Sequence, residues 1–178
     1  RGISIGCISR RGVEVLRAPC LIYSAGCRER HAFEVGIVGD RPSGVLTAGT
    51  AQSLMDLHGL LPGREIVVVG SGDVGLIMGR RFAIEGAHVK AVVELLPYSG
   101  GLTRNIAQCL EDFEIPLLLS HAVLEIMGRG RVESVIVSKV DERGVPISGT
   151  EMEVKCDTVV IAAGLVPEVG LLERAGVR

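Results

Sequence analysis

Tryptophan is absent from this sequence, and its aromatic side chains are limited to three Phe and two Tyr. Aromatic platforms of the kind that stack the bases of single-stranded nucleic acid are therefore not expected. An excess of positive charge is also lacking, since 19 Lys and Arg stand against 21 Asp and Glu, for a net charge of −2. Without a basic surface, neither nucleic acid nor an anionic membrane is a predicted partner.

The cysteines and histidines show no spacing typical of a metal or redox motif. The five cysteines are odd in number, and none forms a C-x-x-C pair. We therefore predict reduced thiols, a cytoplasmic location and no metal site. No apolar run approaches the ~18 residues of a membrane span, and no signal-peptide pattern is present, so a soluble protein is predicted. The start at Arg1, without Met, predicts a piece of a longer chain.

The most informative feature is a glycine-rich turn that directly follows a β-branched run at Glu65–Val69. Such a run is typical of a strand that is covered on both faces in a parallel sheet. The turn matches G-x-G-x-x-G and opens an amphipathic segment, which is the context that a dinucleotide site requires. We predict that NAD(H) binds here through the glycines, backbone N–H groups and the helix dipole. The predicted cofactor-binding residues of this turn are Gly70, Ser71, Gly72, Asp73, Val74 and Gly75.

A carboxylate, Glu94, ends the next predicted strand, close to the spacing of about 20 residues at which an acidic residue binds the adenosine ribose. Glu94 favours NAD(H) over NADP(H), because no Arg follows in residues 95–101 to receive a 2′-phosphate, although Arg104 lies further on. The alternative is a glycine-rich helix start beside a solvated Glu. Asp73 has two interpretations, a direct ligand or an acidic first-turn residue favoured by the helix dipole.

The remaining pattern predicts a Rossmann-like, three-layer α/β domain with a parallel sheet and an inserted antiparallel β-meander. Helical periodicity continues in two further segments, and the alternating segments of the meander are separated by glycine-containing turns. The predicted helices are Thr47–Leu61, Val74–Glu85 and Leu102–Phe113, the buried strands His88–Val93, Pro116–Leu119 and Thr158–Ala162, and the meander Val123–Met127, Val132–Val140 and Met152–Cys156.

The N-terminal part of the chain has a different character. Residues 3–9 and 13–17 predict two short strands around a turn, and the apolar run Leu21-Ile22-Tyr23 predicts a third. Residues 27–45 hold four Gly or Pro without a sustained period and predict a surface loop.

Together these residues resemble the FAD-dependent pyridine nucleotide-disulfide oxidoreductase family, over nearly the whole chain. Besides the glycine turn, Leu21–Gly26 is similar to the first crossover of that family, and Cys156–Pro167 is similar to the second. The segment Val92–Asn105 looks closer to a subgroup that includes subunits of amine, opine and glycerol-phosphate oxidising complexes.

The resemblance implies an NAD(H) domain inserted into an FAD domain, flanked by partial FAD-domain β elements. Residues 1–45 would be a partial FAD-domain segment and linker, 46–163 the NAD(H)-binding domain, and 164–178 the return to the FAD domain. Gly164 and Pro167 would then edge the cofactor cleft. In the intact enzyme, hydride would pass between nicotinamide and FAD, with the FAD domain of the same chain as partner. For the assembly of the intact protein, two alternatives stay open, a homodimer and a subunit of an oxidase complex.

Several departures limit what can be carried over from the family. The FAD-binding glycine motif, the later Gly-Asp segment and the redox Cys pair are absent, so the fragment alone is expected to be inactive and no catalytic residue is assigned. Ile77 stands where many members carry Glu, which favours as an alternative a non-catalytic or regulatory nucleotide-binding domain. A short-chain dehydrogenase would need Tyr-x-x-x-Lys, and both Tyr23 and Tyr98 lack that Lys.

Overall fold

The computed structural model describes residues 2–177, and these form two compact units. The larger unit is Arg28–Val166, and the smaller contains the described residues up to Cys27 and from Pro167 onward. The larger unit therefore begins before the predicted domain boundary at residue 45 and ends after the predicted boundary at residue 163. Residues 28–45 and 164–166 pack within it.

The strands are β1 (Ile3–Ser9), β2 (Gly12–Ala18), β3 (Cys27–Glu29), β4 (Val38–Gly39), β5 (Val45–Thr47), β6 (Glu65–Val69), β7 (His88–Val93), β8 (Leu117–Leu118), β9 (His121–Met127), β10 (Ser134–Lys139), β11 (Met152–Lys155), β12 (Thr158–Ile161) and β13 (Leu165–Pro167). The α-helices are α1 (Ala48–His58), α2 (Asp73–Ile84), α3 (Thr103–Cys109) and α4 (Gly170–Arg174), with 3₁₀ turns at Ala32–Val35 and Glu111–Phe113.

A five-stranded parallel sheet in the order β5-β12-β6-β7-β8 forms the middle layer of the larger unit. Successive side chains of a strand point to opposite faces, and β6 shows this directly. Ile66 and Val68 pack with α1 and α2, whereas Val67 packs with the meander strands on the other face. All three side chains are fully buried. This two-sided burial explains why the strand reads as a continuous β-branched run.

The third layer is a four-stranded sheet in the order β11-β10-β9-β4. Strands β9, β10 and β11 pair antiparallel and β4 adds to β9 in parallel. The predicted three-layer fold with a parallel sheet and an inserted meander is confirmed.

Three local predictions are wrong. Residues 27–45 are not one loop, because they contain β3, β4 and the beginning of β5, which pairs with β12 at the edge of the parallel sheet. The run Leu21-Ile22-Tyr23 forms no strand, and Ile22 is 90% exposed within the described residues. The third helix ends at Cys109 rather than Phe113, because Ile115 N–H bonds back to Leu110 O and turns the chain toward β8.

The smaller unit contains the hairpin of β1 and β2 and the short helix α4. The hairpin pairs Ile3 with Ala18 through Ser9 with Gly12, as the sequence predicts for its first two strands.

Candidate dinucleotide site

The turn after β6 requires glycine at two of its three motif positions for reasons of packing alone. Gly70 has a φ of +101°, and a Cβ there would lie 2.6 Å from Ala162 O. A Cβ on Gly75 would collide with the carbonyl oxygen of Gly70, which the helix must approach. These two glycines allow α2 to begin immediately at the end of a central strand.

Gly72 differs, because no atom lies within 4 Å of the position that its Cβ would occupy. Its φ of −65° and ψ of 168° suit any residue, and it is the N-cap of α2 without a side-chain capping bond. Nothing within the described residues therefore requires glycine here. The open space lies in front of N–H groups that have no partner within the helix, so it fits the approach of a diphosphate to the backbone.

Glu94 follows β7 and holds the neighbouring turn in place. Its Oε2 accepts hydrogen bonds from the Ser71 backbone N–H at 2.8 Å and from Ser71 Oγ at 2.7 Å. Its Oε1 accepts a bond from Leu96 N–H at 2.9 Å. The carboxylate is half-buried and has a fixed orientation beside the glycine turn. A ribose hydroxyl that approaches the turn can donate to the remaining lone pair, on Oε1.

Asp73 faces away from the turn's open space and toward the start of α3. Its Oδ1 accepts bonds from Leu102 N–H and from Asn105 Nδ2, both at 2.8 Å. The hydrogen bond from the Leu102 backbone, followed by that from Asn105, lowers the pKa of Asp73 below its ordinary value. A further bond from Ser99 Oγ to Ser71 O, at 2.8 Å, joins the same segment to the turn. This geometry favours a positioning role for Asp73.

A cleft of about 610 Å³ opens at the carboxyl ends of the parallel strands. It brings together five of the predicted site residues and adds Arg30, Glu34 and His121, which the sequence did not single out. Asp73, Val74, Gly75 and Pro167 are not among its lining residues. The lining residues are Arg30, Glu34, Val35, Ile37, Val69, Gly70, Ser71, Gly72, Val93, Glu94, Leu95, Leu96, His121, Ala122, Val123, Ala162, Ala163 and Gly164.

The missed residues reach the cleft from separate parts of the chain. Arg30 and Glu34 come from the segment that was predicted to be a loop, and His121 begins β9. His121 Nδ1 lies 2.7 Å from Leu119 O, so this nitrogen donates to the carbonyl and the ring orientation is fixed. Glu34 pairs with Arg28 through two bonds of 2.8 and 2.9 Å, and this pairing, followed by the hydrogen bond from His31 N–H, lowers the pKa of Glu34 to about 2. No sequence motif predicts that Arg30, Glu34 and His121 line the cleft.

Residues 2–177 lack two features, a metal-binding cluster and a membrane-spanning helix. No group of three or more His, Cys, Asp or Glu side chains there could hold a metal ion. No helix in the same range is long and apolar enough to cross a membrane.

The site has the order of a Rossmann-type domain: β6, the glycine turn, α2 and β7, with the carboxylate of Glu94 directly after β7. The chain belongs to the pyridine nucleotide-disulphide oxidoreductase family, whose model matches residues 12–178. This family uses FAD and NAD(P)H in oxidation and reduction.

Individual relatives cover much of this chain. A dihydrolipoyl dehydrogenase of Pseudomonas aeruginosa is 34% identical over 116 residues, which are 61% of this chain and 22% of that protein. A probable ferredoxin reductase of Castellaniella defragrans is 30% identical over 168 residues, 88% of this chain and 37% of that protein. The structure of T. acidophilum thioredoxin reductase superposes with a TM-score of 0.74 at 22% identity, covering 93% of this chain and 50% of that one. The chain thus spans well under half of the two curated relatives.

Proposed function

We propose that Arg28–Val166 is the NAD(H)-binding domain of a flavin-dependent oxidoreductase. The observation that carries the proposal is the placement of Glu94, whose carboxylate bonds to Ser71 beside the open face of Gly72. In this arrangement Gly72 and the first turn of α2 hold the diphosphate, and Glu94 Oε1 accepts a hydrogen bond from an adenosine ribose hydroxyl. Bound nicotinamide and FAD supply the hydride transfer. The role of this domain is to bind and orient the nucleotide.

Several of the finer predictions belong to the same proposal. Gly164, which lines the cleft, edges the nucleotide site, and Pro167, which does not line it, belongs to residues 164–178, where the return to the FAD domain begins. The five cysteines are all free in the described residues, which supports a cytoplasmic location. The similarity of Val92–Asn105 to subunits of amine, opine and glycerol-phosphate oxidising complexes supports membership of an oxidase complex, with a homodimer as the other assembly.

A second function has one observation in its favour. Ile77, at the position where many family members carry Glu, is 51% exposed on α2 and offers no polar group to a nicotinamide. A regulatory domain that binds the ADP portion without hydride transfer is consistent with this residue.

Anaerobic titration of the full-length protein with NADH separates the two functions. Loss of the oxidised flavin absorbance at stoichiometric NADH supports hydride transfer, and binding without this loss supports the regulatory function. The Gly72→Ala variant is the control, because a Cβ in the open face should weaken NADH binding and shift flavin reduction to higher NADH concentration. Absence of NADH binding in the unaltered protein would refute both.

A further inference from the structure

Residues 29 and 30, at the start of the larger unit, are fixed against the parallel sheet from two directions. Arg30 N–H donates to Gly164 O at 3.2 Å, just after β12. Glu29 Oε1 accepts from Gly49 N–H at 2.8 Å, in the first turn of α1. These bonds hold the backbone of residues 29 and 30 at the rim of the cleft. The side chain of Arg30 therefore starts from a defined position.

The Arg30 side chain crosses the face of Gly164 and lines the cleft. Its Cδ and Nε lie 3.6 Å from the point that a Gly164 Cβ would occupy. Within residues 2–177 its guanidinium group has no hydrogen-bond or ion-pair partner. The nearby Glu34 is already engaged in two bonds with Arg28. The Arg30 guanidinium thus lines the cleft, and its five donors have no acceptor among residues 2–177.

The charges in the cleft are otherwise negative. Arg30 is the only Lys or Arg among the lining residues, which include the carboxylates of Glu34 and Glu94. A dinucleotide brings two further negative charges in its diphosphate. An unpaired Arg is the side chain best suited to bind phosphate, through paired charge-assisted hydrogen bonds.

Strand order places Arg30 at the end of the cleft opposite Glu94. Glu94 follows β7, the glycine turn follows β6 and Gly164 follows β12, in the sheet order β12-β6-β7. The ends of β7 and β12 are two strand spacings apart, about 10 Å. With the adenosine ribose at Glu94 and the diphosphate over β6, the second nucleotide extends toward Arg30.

We propose that Arg30 binds the phosphate on the nicotinamide side of the dinucleotide. This inference rests on the proposed dinucleotide function of the same cleft. It assigns to a residue ahead of the glycine turn a direct part in holding the cofactor, and it predicts that the two halves of the dinucleotide depend differently on this side chain.

Calorimetry on the full-length protein with two redox-inactive ligands tests the proposal. AMP carries the adenosine half and one phosphate, whereas ADP-ribose adds the second phosphate and ribose. Arg30→Gln should weaken ADP-ribose binding about tenfold or more and change AMP binding less than about twofold, because AMP lacks the group that Arg30 contacts. Arg30→Lys should recover part of the loss, since it keeps the charge without the guanidinium fork.

Arg129→Gln is the matched control, because Arg129 is equally charged, exposed and outside the cleft. It should leave both affinities unchanged. Equal weakening of AMP and ADP-ribose by Arg30→Gln, or no weakening of either, overturns the role of Arg30 while leaving the dinucleotide function intact. If the unaltered protein binds neither ligand, the proposed function and this inference both fail.

Discussion

Glu94 Oε2 accepts hydrogen bonds from both the backbone N–H and the hydroxyl of Ser71, so the carboxylate expected to bind ribose also fixes the glycine turn. The two functions are compatible because a carboxylate has about four lone-pair sites and Oε1 accepts only from Leu96 N–H among the described residues. Preorganisation of this kind reduces the entropy lost when the nucleotide binds.

Glu94→Gln is predicted to reduce the preference for NAD⁺ over NADP⁺. The NAD⁺ affinity should fall about tenfold because a hydrogen bond to a charged acceptor becomes a bond to a neutral one. The NADP⁺ affinity should hold or rise, because repulsion between the carboxylate and the 2′-phosphate is removed. Calorimetric dissociation constants for both oxidised nucleotides provide the test, with the exposed Glu153→Gln on β11 as control. An unchanged ratio would remove Glu94 from ribose recognition.

Gly75→Ala is predicted to lower the stability of the fold, and Gly72→Ala is predicted to weaken nucleotide binding. Gly75→Ala should lower the free energy of unfolding by about 1–3 kcal/mol, because its Cβ meets the Gly70 carbonyl. Gly72→Ala should change that free energy by less than about 1 kcal/mol and weaken ADP-ribose at least tenfold, because its Cβ enters open space in front of the helix. Urea unfolding and calorimetry on the same pair distinguish a structural glycine from a binding one. Unchanged ADP-ribose affinity in Gly72→Ala would place the diphosphate elsewhere.

Asp73→Ala is predicted to loosen the segment between β7 and α3. The exchange rate of the Leu102 amide hydrogen should rise several-fold, because its acceptor is lost, whereas Asp73→Asn keeps one oxygen acceptor and should change the rate less. Because the pKa of Asp73 is lowered, the ionised carboxylate and its hydrogen bonds are fully present above the ordinary pKa of 3.8. They are lost only as the pH falls through the lower pKa of the folded protein. Equal exchange in all three proteins at pH 7 would contradict a positioning role.

Cys156 is predicted to resist alkylation at pH 8. Burial, and then the neighbouring charge of Asp157, raise the pKa of its thiol to about 11, so almost no thiolate is present. The ordinary pKa of a cysteine thiol, 9.0, applies to the unfolded chain, so Cys156 favours folding below pH 9, and that contribution declines as the pH rises toward 11. Mass spectrometry after iodoacetamide treatment should find Cys156 unmodified in the native protein and modified in urea. Rapid native modification would show that the site opens.

The sequence was most informative about elements whose structure is specified by residues adjacent along the chain. The strand at Glu65–Val69, the turn from Gly70 and the helix that follows lie where the pattern predicts them. Their determinants are local, since a β-branched run, a positive φ and a helix start are each specified by adjacent residues. Glu94 was also found, because the length of one strand-helix-strand unit fixes its separation from Gly70.

The sequence was least informative about segments that have little structure of their own. β5 is three residues long and forms only because β12, more than a hundred residues later, offers an edge to pair with. Asp73 lies inside the motif, yet its partners Leu102 and Asn105 are set by the path of the chain after β7. Local periodicity predicts neither the pairing of β5 with β12 nor the hydrogen bonds of Asp73.

The sequence by itself therefore determined the glycine turn, its two flanking strands, the inserted meander and the carboxylate of Glu94, because each follows from periodicity or from spacing within one unit. Only the tertiary structure decided that Gly72 is the glycine left open and that Arg30 lies across Gly164 with no partner among residues 2–177. These features arise where distant segments meet at one edge of a parallel sheet, and sheet order is not encoded by any short stretch of the chain.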